Sequence, residues 1–137
     1  MKPFVWHARV YYEDTDAGGV VYYANYLNYM ERARTEWLRS FGVEQDQLAE
    51  NMNVIFAVRL VKLKYIQPAR FNNALSITVE PHLLKPASIS FKQCIMNERD
   101  NTIVYTTGEV NVVCLSAKDF TPHPIPKNLF KEIKSAC

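Results

Sequence analysis

The sequence predicts an α+β fold in which one long amphipathic helix lies against a single curved antiparallel sheet of five to six strands. Two patterns in the 137 residues lead to this prediction. Apolar side chains repeat at helical spacing over one early segment, and several strand-like segments follow it with little between them. Consecutive strands joined by short turns pair antiparallel. No linker-like change in composition and no internal repeat divides the chain, so we expect one domain over residues 1–137.

The first two predicted elements are a strand and the long helix. Residues Phe4–Tyr12 are predicted to form the strand. The helix is predicted over Tyr23–Phe41, because its apolar residues recur at steps of three and four: Tyr26, Met30, Ala33, Trp37 and Phe41. Gly42 follows directly, where a left-handed C-terminal cap belongs.

The rest of the chain is mostly extended. After a short polar helix over Glu44–Asn51, the strand predicted over Val54–Ile66 changes face: its apolar residues occupy even positions up to Leu60 and odd positions from Val61. This change predicts a bulge or strong bend near Arg59–Val61, which a sheet wrapped around a helix requires. Three further strands and a short C-terminal helix are predicted at Leu75–Val79, Ala87–Ile95, Ile103–Leu115 and after Pro124–Pro126.

Composition excludes several functional classes. Sixteen basic against fourteen acidic residues give a net charge of +2, which does not favour nucleic-acid binding. No apolar stretch approaches the ~18 residues of a membrane span, and the first residues do not resemble a signal peptide. Three widely spaced cysteines without a CxxC pair argue against disulfides and against a zinc site, so we expect a cytoplasmic protein without a metal.

The segment from Arg9 to Tyr26 carries the chemistry. Three carboxylates (Glu13, Asp14 and Asp16) and a Gly-Gly pair directly precede the predicted helix. The first turn of a helix offers unpaired N–H groups and a partial positive charge, which can stabilise an oxyanion on a bound carbonyl group. Acidic and glycine residues at this place more often form only a turn and an N-cap. A calcium loop fits less well, because the distal glutamate of an EF-hand is absent.

Longer motifs then identify a family resemblance. The stretches Tyr11–Tyr22, Ala24–Tyr26 and Glu31–Glu36 closely resemble the bacterial acyl-CoA thioesterases associated with the Tol–Pal system, in the 4-hydroxybenzoyl-CoA thioesterase group of the hotdog-fold superfamily. The resemblance extends over essentially the whole chain, including Phe56–Val58, Tyr65, Pro68–Arg70 and the late strand around Glu109–Cys114. It implies a hotdog fold, in which a sheet wraps the long helix, and a thioester hydrolase.

The resemblance also implies roles for single residues. Asp16 matches the catalytic aspartate, which acts as nucleophile or as general base. Tyr23 matches the residue whose backbone N–H polarises the thioester carbonyl, although many Tol–Pal-associated relatives carry His there. Glu31, on the polar side of the helix, is interpreted as pairing with Arg34 or Thr35 or as supporting the loop. The predicted substrate-binding residues, for the acyl group and the coenzyme A phosphates, are Gly19, Val20, Tyr22, Tyr26, Arg59 and Lys85.

We therefore expect hydrolysis of short-chain or aromatic acyl-CoA, or of acyl-carrier protein thioesters, without a cofactor. The family implies a homodimer or homotetramer with sites shared between subunits, located in the cytoplasm or at the inner membrane. Three alternatives remain: a non-catalytic acyl-CoA or acyl-carrier binding module, a hotdog dehydratase or hydratase, and a structural Tol–Pal partner in the cell envelope. The lack of His between His7 and His82 disfavours the dehydratase.

Overall fold

The computed structural model describes residues 3–137 and contains one antiparallel sheet with the strand order β1-β3-β4-β5-β2. The α+β prediction is confirmed, with five strands in the sheet. The elements in chain order are β1 (Phe4–Arg9), a 3-10 turn (Tyr12–Asp14), α1 (Asn25–Arg39), α2 (Gln45–Met52), β2 (Val54–Tyr65), β3 (Ala74–Lys85), β4 (Ser88–Asn97), β5 (Val104–Ser116) and α3 (Lys127–Ala136).

The first strand was predicted too long. It ends at Arg9 rather than at Tyr12, because the next residues form the 3-10 turn. The Asp14 N–H donates to the Tyr11 carbonyl (3.0 Å), and the Asp14 carboxylate accepts from the Tyr11 N–H (2.9 Å). Such local bonds compete with strand pairing. The long helix likewise begins at Asn25, two residues after its predicted start.

The bend predicted in β2 is confirmed. The pairing of β2 with β5 shifts register between Val58 and Leu60, so that Arg59 is the extra residue of a bulge. A bulge increases local twist and re-aims the side chains beyond it. The sheet therefore curves at the place where the apolar residues of the sequence change face.

Helix α1 packs into the concave face of this sheet. Its buried residues, which include Met30, Ala33 and Trp37, contact apolar residues of β3, β4 and β5. The indole of Trp37 meets Phe91 edge to face, with ring centroids 5.2 Å apart. Gly108 of β5 leaves room for the Met30 side chain of the helix, because an added Cβ would lie 3.0 Å from Met30 and 2.7 Å from Leu63 of β2. The core thus fixes the helix within the sheet and leaves its N-terminus at the sheet end where β2 finishes.

The C-terminal cap predicted at Gly42 is also confirmed. Gly42 has a φ of +79°, and its N–H donates to the Arg39 carbonyl (2.9 Å). Within residues 3–137, no helix combines the length and the apolar character needed to cross a membrane.

Candidate active site

A tight loop carries Asp16 to the start of α1. The Asp16 N–H donates to the Val20 carbonyl (2.9 Å), and the Gly19 N–H donates to the Asp16 carbonyl (3.0 Å). Gly19 has a φ of +79°, a conformation that residues with a side chain rarely adopt. Gly18 and Gly19 thereby close the loop tightly at the position predicted for a sharp turn.

The carboxylate of Asp16 is exposed and held in one orientation. One oxygen (Oδ1) accepts a hydrogen bond from the Gly18 N–H at 2.8 Å. The other oxygen has no hydrogen-bond partner in the described part of the chain. Asp16 therefore presents a free, negatively charged oxygen that can act as nucleophile or base. The neighbouring Asp14 is a turn residue, as the sequence predicted, and Glu13 is exposed.

Hydrogen bonds join this loop to the start of the helix. The Asp14 carbonyl accepts from the Tyr22 N–H (2.9 Å) and from the side-chain amide of Asn25 (2.8 Å). Farther along, the Val21 N–H donates to the Ala69 carbonyl (2.9 Å), and the Ala69 N–H donates to the Tyr26 hydroxyl (3.1 Å). The loop, the helix and the segment after β2 therefore form one interlocked unit.

The start of α1 leaves backbone donors free. The N–H groups of Tyr23 and Ala24 have no acceptor within residues 3–137, and no side chain caps the helix. The carbonyls of the same two peptide groups are bonded: that of Tyr22 to the Asn25 N–H (2.8 Å), and that of Tyr23 to the Tyr65 hydroxyl (3.0 Å). The free amides add to the positive end of the helix dipole, so this terminus can stabilise an oxyanion.

A cavity of ≈290 Å³ lies beside Tyr23 at the start of α1. It is lined mainly by apolar and aromatic residues: Val21, Tyr23, Tyr26, Tyr65, Ile66, Gln67 and Pro68. Burial raises the pKa of the Tyr26 hydroxyl, and the negative charge of Asp16 adds to this increase. Asp16 is not itself a lining residue, so within one chain its carboxylate lies outside the cavity.

The other predicted binding residues lie at different distances from this cavity. Val20 pairs with Arg70 in an isolated β-bridge, next to Gly19 in the loop. The Tyr22 ring is exposed and packs on Tyr23, with centroids 4.7 Å apart, rather than lining the cavity.

The two predicted basic residues are remote within one chain. Lys85 pairs with Ser88, which pairs with Val113, whereas Tyr65 beside the cavity pairs with Thr106. Seven residues of β5 separate these two positions, or about 23 Å at the rise of a strand. Arg59, at the bulge, lies about one to two residues nearer to the cavity along β5 than Lys85 does. Their role in binding phosphates stays a prediction, and one chain does not bring them to the free amides.

Glu31 makes the local contact predicted for it. The Thr35 hydroxyl donates to its carboxylate at 3.4 Å, whereas Arg34 donates to the side-chain carbonyl of Gln93 at 2.9 Å. Burial lowers the pKa of Arg34. Together these residues border a separate cavity of ≈110 Å³ between α1 and the sheet. No cluster of three or more metal-binding side chains occurs within residues 3–137.

Sequence reasoning missed two residues that hold the site together. Asn25 and Tyr65 bond to the backbone on either side of the free amides. Asn25 stands just before the apolar repeat of the helix, a typical position for a capping residue. No sequence signal pairs Tyr65 with Tyr23, because their contact depends on how β2 folds back over the helix.

A helix enclosed by a curved sheet, with open amides at its start and a carboxylate loop beside it, defines a hotdog-type thioesterase fold. The model of the thioesterase-like superfamily matches residues 10–133, and the chain belongs to this family. The chain is a thioester hydrolase, as predicted, because its named relatives are thioester hydrolases.

Named relatives and solved structures agree with this assignment. The chain is 43% identical over 131 residues to the acyl-CoA thioester hydrolase YbgC of Escherichia coli O6:H1, covering 96% of both chains. It is 39% identical to the acyl-CoA thioesterase YbgC of Haemophilus influenzae, covering 97% of this chain and 93% of the relative. The crystal structure of a probable thioesterase from Bartonella henselae superposes with a TM-score of 0.84 at 30% identity, covering 91% of this chain and 100% of that one. The predicted hotdog fold is thereby confirmed.

Proposed function

We propose that the protein hydrolyses short-chain or aromatic acyl-CoA thioesters, with Asp16 as nucleophile or general base and the Tyr23 amide as oxyanion donor. The two relatives at 43% and 39% identity are named acyl-CoA thioester hydrolase and acyl-CoA thioesterase. The observation that carries the proposal is the pair of free amides at the start of α1, beside a cavity and a fixed carboxylate.

The amides act on the thioester carbonyl. Its oxygen accepts the Tyr23 N–H, and the helix dipole stabilises the negative charge that grows there during attack. By comparison with other oxyanion holes, one such donor contributes roughly 3 kcal/mol. The donor is a backbone group, so tyrosine at this position serves as well as histidine would.

Asp16 acts on the carbon of the same carbonyl. In the nucleophilic route its free oxygen forms a C–O bond, the C–S bond breaks and coenzyme A leaves as thiolate; water then hydrolyses the mixed anhydride and regenerates the carboxylate. In the general-base route Asp16 takes a proton from water as that water attacks the carbon, and the thiolate leaves in the same way. Both routes need an ionised carboxylate within reach of the amides.

The cavity supports a small acyl group. At ≈290 Å³ it is at the lower end of ligand pockets, and its lining is mostly apolar with several aromatic rings. Such a space accommodates a short aliphatic chain or a single aromatic ring. Acyl-carrier protein remains a proposed second donor of the acyl group, since the reacting thioester is the same.

We propose that the working unit is at least a homodimer, paired through β2. This twelve-residue strand lies at the sheet edge, and Val58, Leu60 and Tyr65 are exposed along it. Antiparallel pairing of two copies of β2 would bring the Tyr65 end of one chain beside the Val54 end of the other. Residues near the Val54 end of one subunit could then complete the site at the helix start of its partner.

A homotetramer is supported by the outer face of the sheet. Four exposed side chains form a row across neighbouring strands, with charges that alternate in sign: Lys62, Glu109, Lys92 and Glu80. If two copies pack face to face about a twofold axis parallel to the strands, each lysine of this row faces a glutamate of the second copy. Light scattering over a dilution series, with activity measured at each concentration, checks both interfaces. A fully active monomer would contradict the shared site.

Location and partners beyond the substrate remain proposals that rest on the family resemblance. We propose that the protein acts in the cytoplasm or at the inner membrane, in association with the Tol–Pal system. Fractionation of cells that produce the tagged protein at its natural level tests this. Recovery of the protein only outside the cytoplasm and away from the inner membrane would contradict the proposal.

The activity is tested with a panel of acyl-CoA and acyl-carrier protein thioesters, assayed by thiol release. We expect turnover of short or aromatic acyl-CoA by the unmodified protein and a loss of at least 100-fold in Asp16→Asn. The matched control is Glu13→Gln, which neutralises an exposed carboxylate of the same segment and should leave turnover unchanged. Tight binding of acyl-CoA without turnover would instead favour the non-catalytic binding module.

A further inference from the structure

We propose that Tyr65 is a positioning residue for the reaction. Its hydroxyl orients and polarises the peptide group between Tyr23 and Ala24, so that the Ala24 N–H acts as a second oxyanion donor beside the Tyr23 N–H. This inference rests on the proposed thioesterase function and adds a residue from a distant part of the sequence to its mechanism.

The hydrogen bond from Tyr65 fixes the direction of the Ala24 N–H. A peptide group is planar, so a bond that fixes its carbonyl oxygen also fixes the direction of its N–H. Two consecutive peptide groups at the helix start are fixed in this way, through Tyr22 O to the Asn25 N–H and through Tyr23 O to the Tyr65 hydroxyl. Their N–H groups, on Tyr23 and Ala24, have no acceptor in the described residues.

The two anchors differ in origin. The bond from the Asn25 N–H to Tyr22 closes a local turn, three residues apart. The bond from Tyr65 comes from a residue 42 positions later in the chain, the last residue of β2. Without the Tyr65 hydroxyl, the carbonyl of Tyr23 would have only solvent to hold it. The second amide therefore depends on the sheet for its orientation.

Tyr65 is itself held in place. Its ring packs against the ring of Tyr26, with centroids 5.7 Å apart, and the Tyr26 hydroxyl accepts the Ala69 N–H at 3.1 Å. A group that must position another to within a fraction of an ångström needs such support from rigid elements. The sheet end, the buried ring of Tyr26 and the segment at Ala69 provide it.

The hydrogen bond from Tyr65 also makes the Ala24 N–H a stronger donor. A hydrogen bond to a peptide carbonyl draws electron density from the amide nitrogen, which makes the N–H of that peptide a stronger donor. The Tyr65 hydroxyl would thus strengthen the Ala24 N–H in addition to aiming it. An oxyanion that forms only in the transition state gains most from this, so the effect falls on kcat rather than on substrate binding.

A purely structural role predicts a different outcome. Tyr65 also lines the cavity, and if its ring only shaped that cavity, removing the hydroxyl would leave kcat unchanged. Tyr65→Phe separates the two roles because it keeps the ring. Tyr12→Phe is the matched control: the Tyr12 ring is exposed and stacks on Phe71, and its hydroxyl has no hydrogen bond in residues 3–137.

The experiment compares steady-state kinetics and the amide NMR spectrum of these variants with those of the unmodified homo-oligomer. For Tyr65→Phe we expect kcat to fall about 5- to 30-fold with KM within twofold, and the Ala24 amide proton to move upfield. Tyr12→Phe should change neither.

A wrong role for Tyr65 and a wrong thioesterase mechanism would give different results. If Asp16→Asn abolishes turnover and Tyr65→Phe keeps kcat within twofold of the unmodified protein, the role of Tyr65 is wrong while the thioesterase mechanism stands. If the unmodified protein turns over none of the thioesters, or if Asp16→Asn is fully active, the proposed mechanism fails and the role of Tyr65 falls with it.

Discussion

The two ends of helix α1 satisfy their backbone groups in opposite ways. At the C-terminal end, the N–H groups of Ser40, Gly42 and Val43 donate to carbonyls of the last turns, at 2.9–3.2 Å. Gly42 supplies the left-handed conformation that makes this closure possible. At the N-terminal end, Ala24 occupies the cap position without a side-chain hydrogen bond, and the amides of Tyr23 and Ala24 have no acceptor in the described chain.

This difference separates stability from function along a single element. Alanine is among the least favourable N-cap residues, and a good cap contributes about 1 kcal/mol. The helix lacks that contribution at the end where, in the proposed mechanism, a substrate carbonyl binds to free donors. Its stability comes instead from the closed end and from the core around Met30, Ala33 and Trp37. Substitutions at the two ends should therefore change different measurements.

The largest effect is expected from a charge at the open end. In Ala24→Asp a fixed carboxylate would lie within a few ångströms of the developing oxyanion, and repulsion of about 3 kcal/mol lowers kcat on the order of 100-fold. The same charge favours the helix dipole, so the melting temperature should be unchanged or slightly higher. Ala24→Asn has nearly the same shape without the charge, and it serves as the control. Equal kcat values for the two variants would contradict an oxyanion at this terminus.

A smaller effect is expected where the loop joins the helix. Asn25→Ala removes the bond to the Asp14 carbonyl, so the loop that carries Asp16 loses one of its links to α1. We expect kcat to fall roughly tenfold and the free energy of unfolding to fall by about 1 kcal/mol, measured by urea titration. Asn28→Ala, which removes only a contact with the Asn25 side chain, is the control and should change kcat by less than twofold. If both variants have the same kcat, the loop does not depend on Asn25.

At the closed end, the expected change is in stability alone. Gly42→Ala places a side chain at a φ of +79°, which costs about 1–2 kcal/mol. Urea titration should show this loss, while kcat at 25 °C should equal that of the unmodified protein. A fall in kcat comparable to that of Asn25→Ala would mean that the two ends are not independent.

The sequence predicted correctly those parts of the structure that are determined by contacts between residues close together in the chain. The period of the apolar residues predicted α1, the change of face predicted the bulge at Arg59, and a single glycine predicted the cap at Gly42. The alternation of apolar and polar residues predicted the wrong end for β1, because hydrogen bonds between Asp14 and Tyr11 end the strand early.

The candidate site was predicted through resemblance rather than through periodicity. Asp16 and Tyr23 occupy recognisable motif positions, whereas the support from Tyr65 joins segments 42 residues apart. Such a contact follows from tertiary packing, which no local pattern encodes. Residue type alone also gives no indication of which end of the sheet a basic residue will occupy, and Lys85 lies about 23 Å along the strands from the cavity.

The central claim is that the start of α1 binds the oxygen of the thioester carbonyl. The most direct test is an amide NMR titration of the uniformly 15N-labelled protein with an acyl-CoA ketone analogue, in which a methylene group replaces the sulfur so that no hydrolysis occurs. We expect the amide protons of Tyr23 and Ala24 to shift downfield on saturation, while those of Gly42 and Val43 at the other end of the helix stay in place. Saturable binding that leaves Tyr23 and Ala24 unshifted would contradict the account.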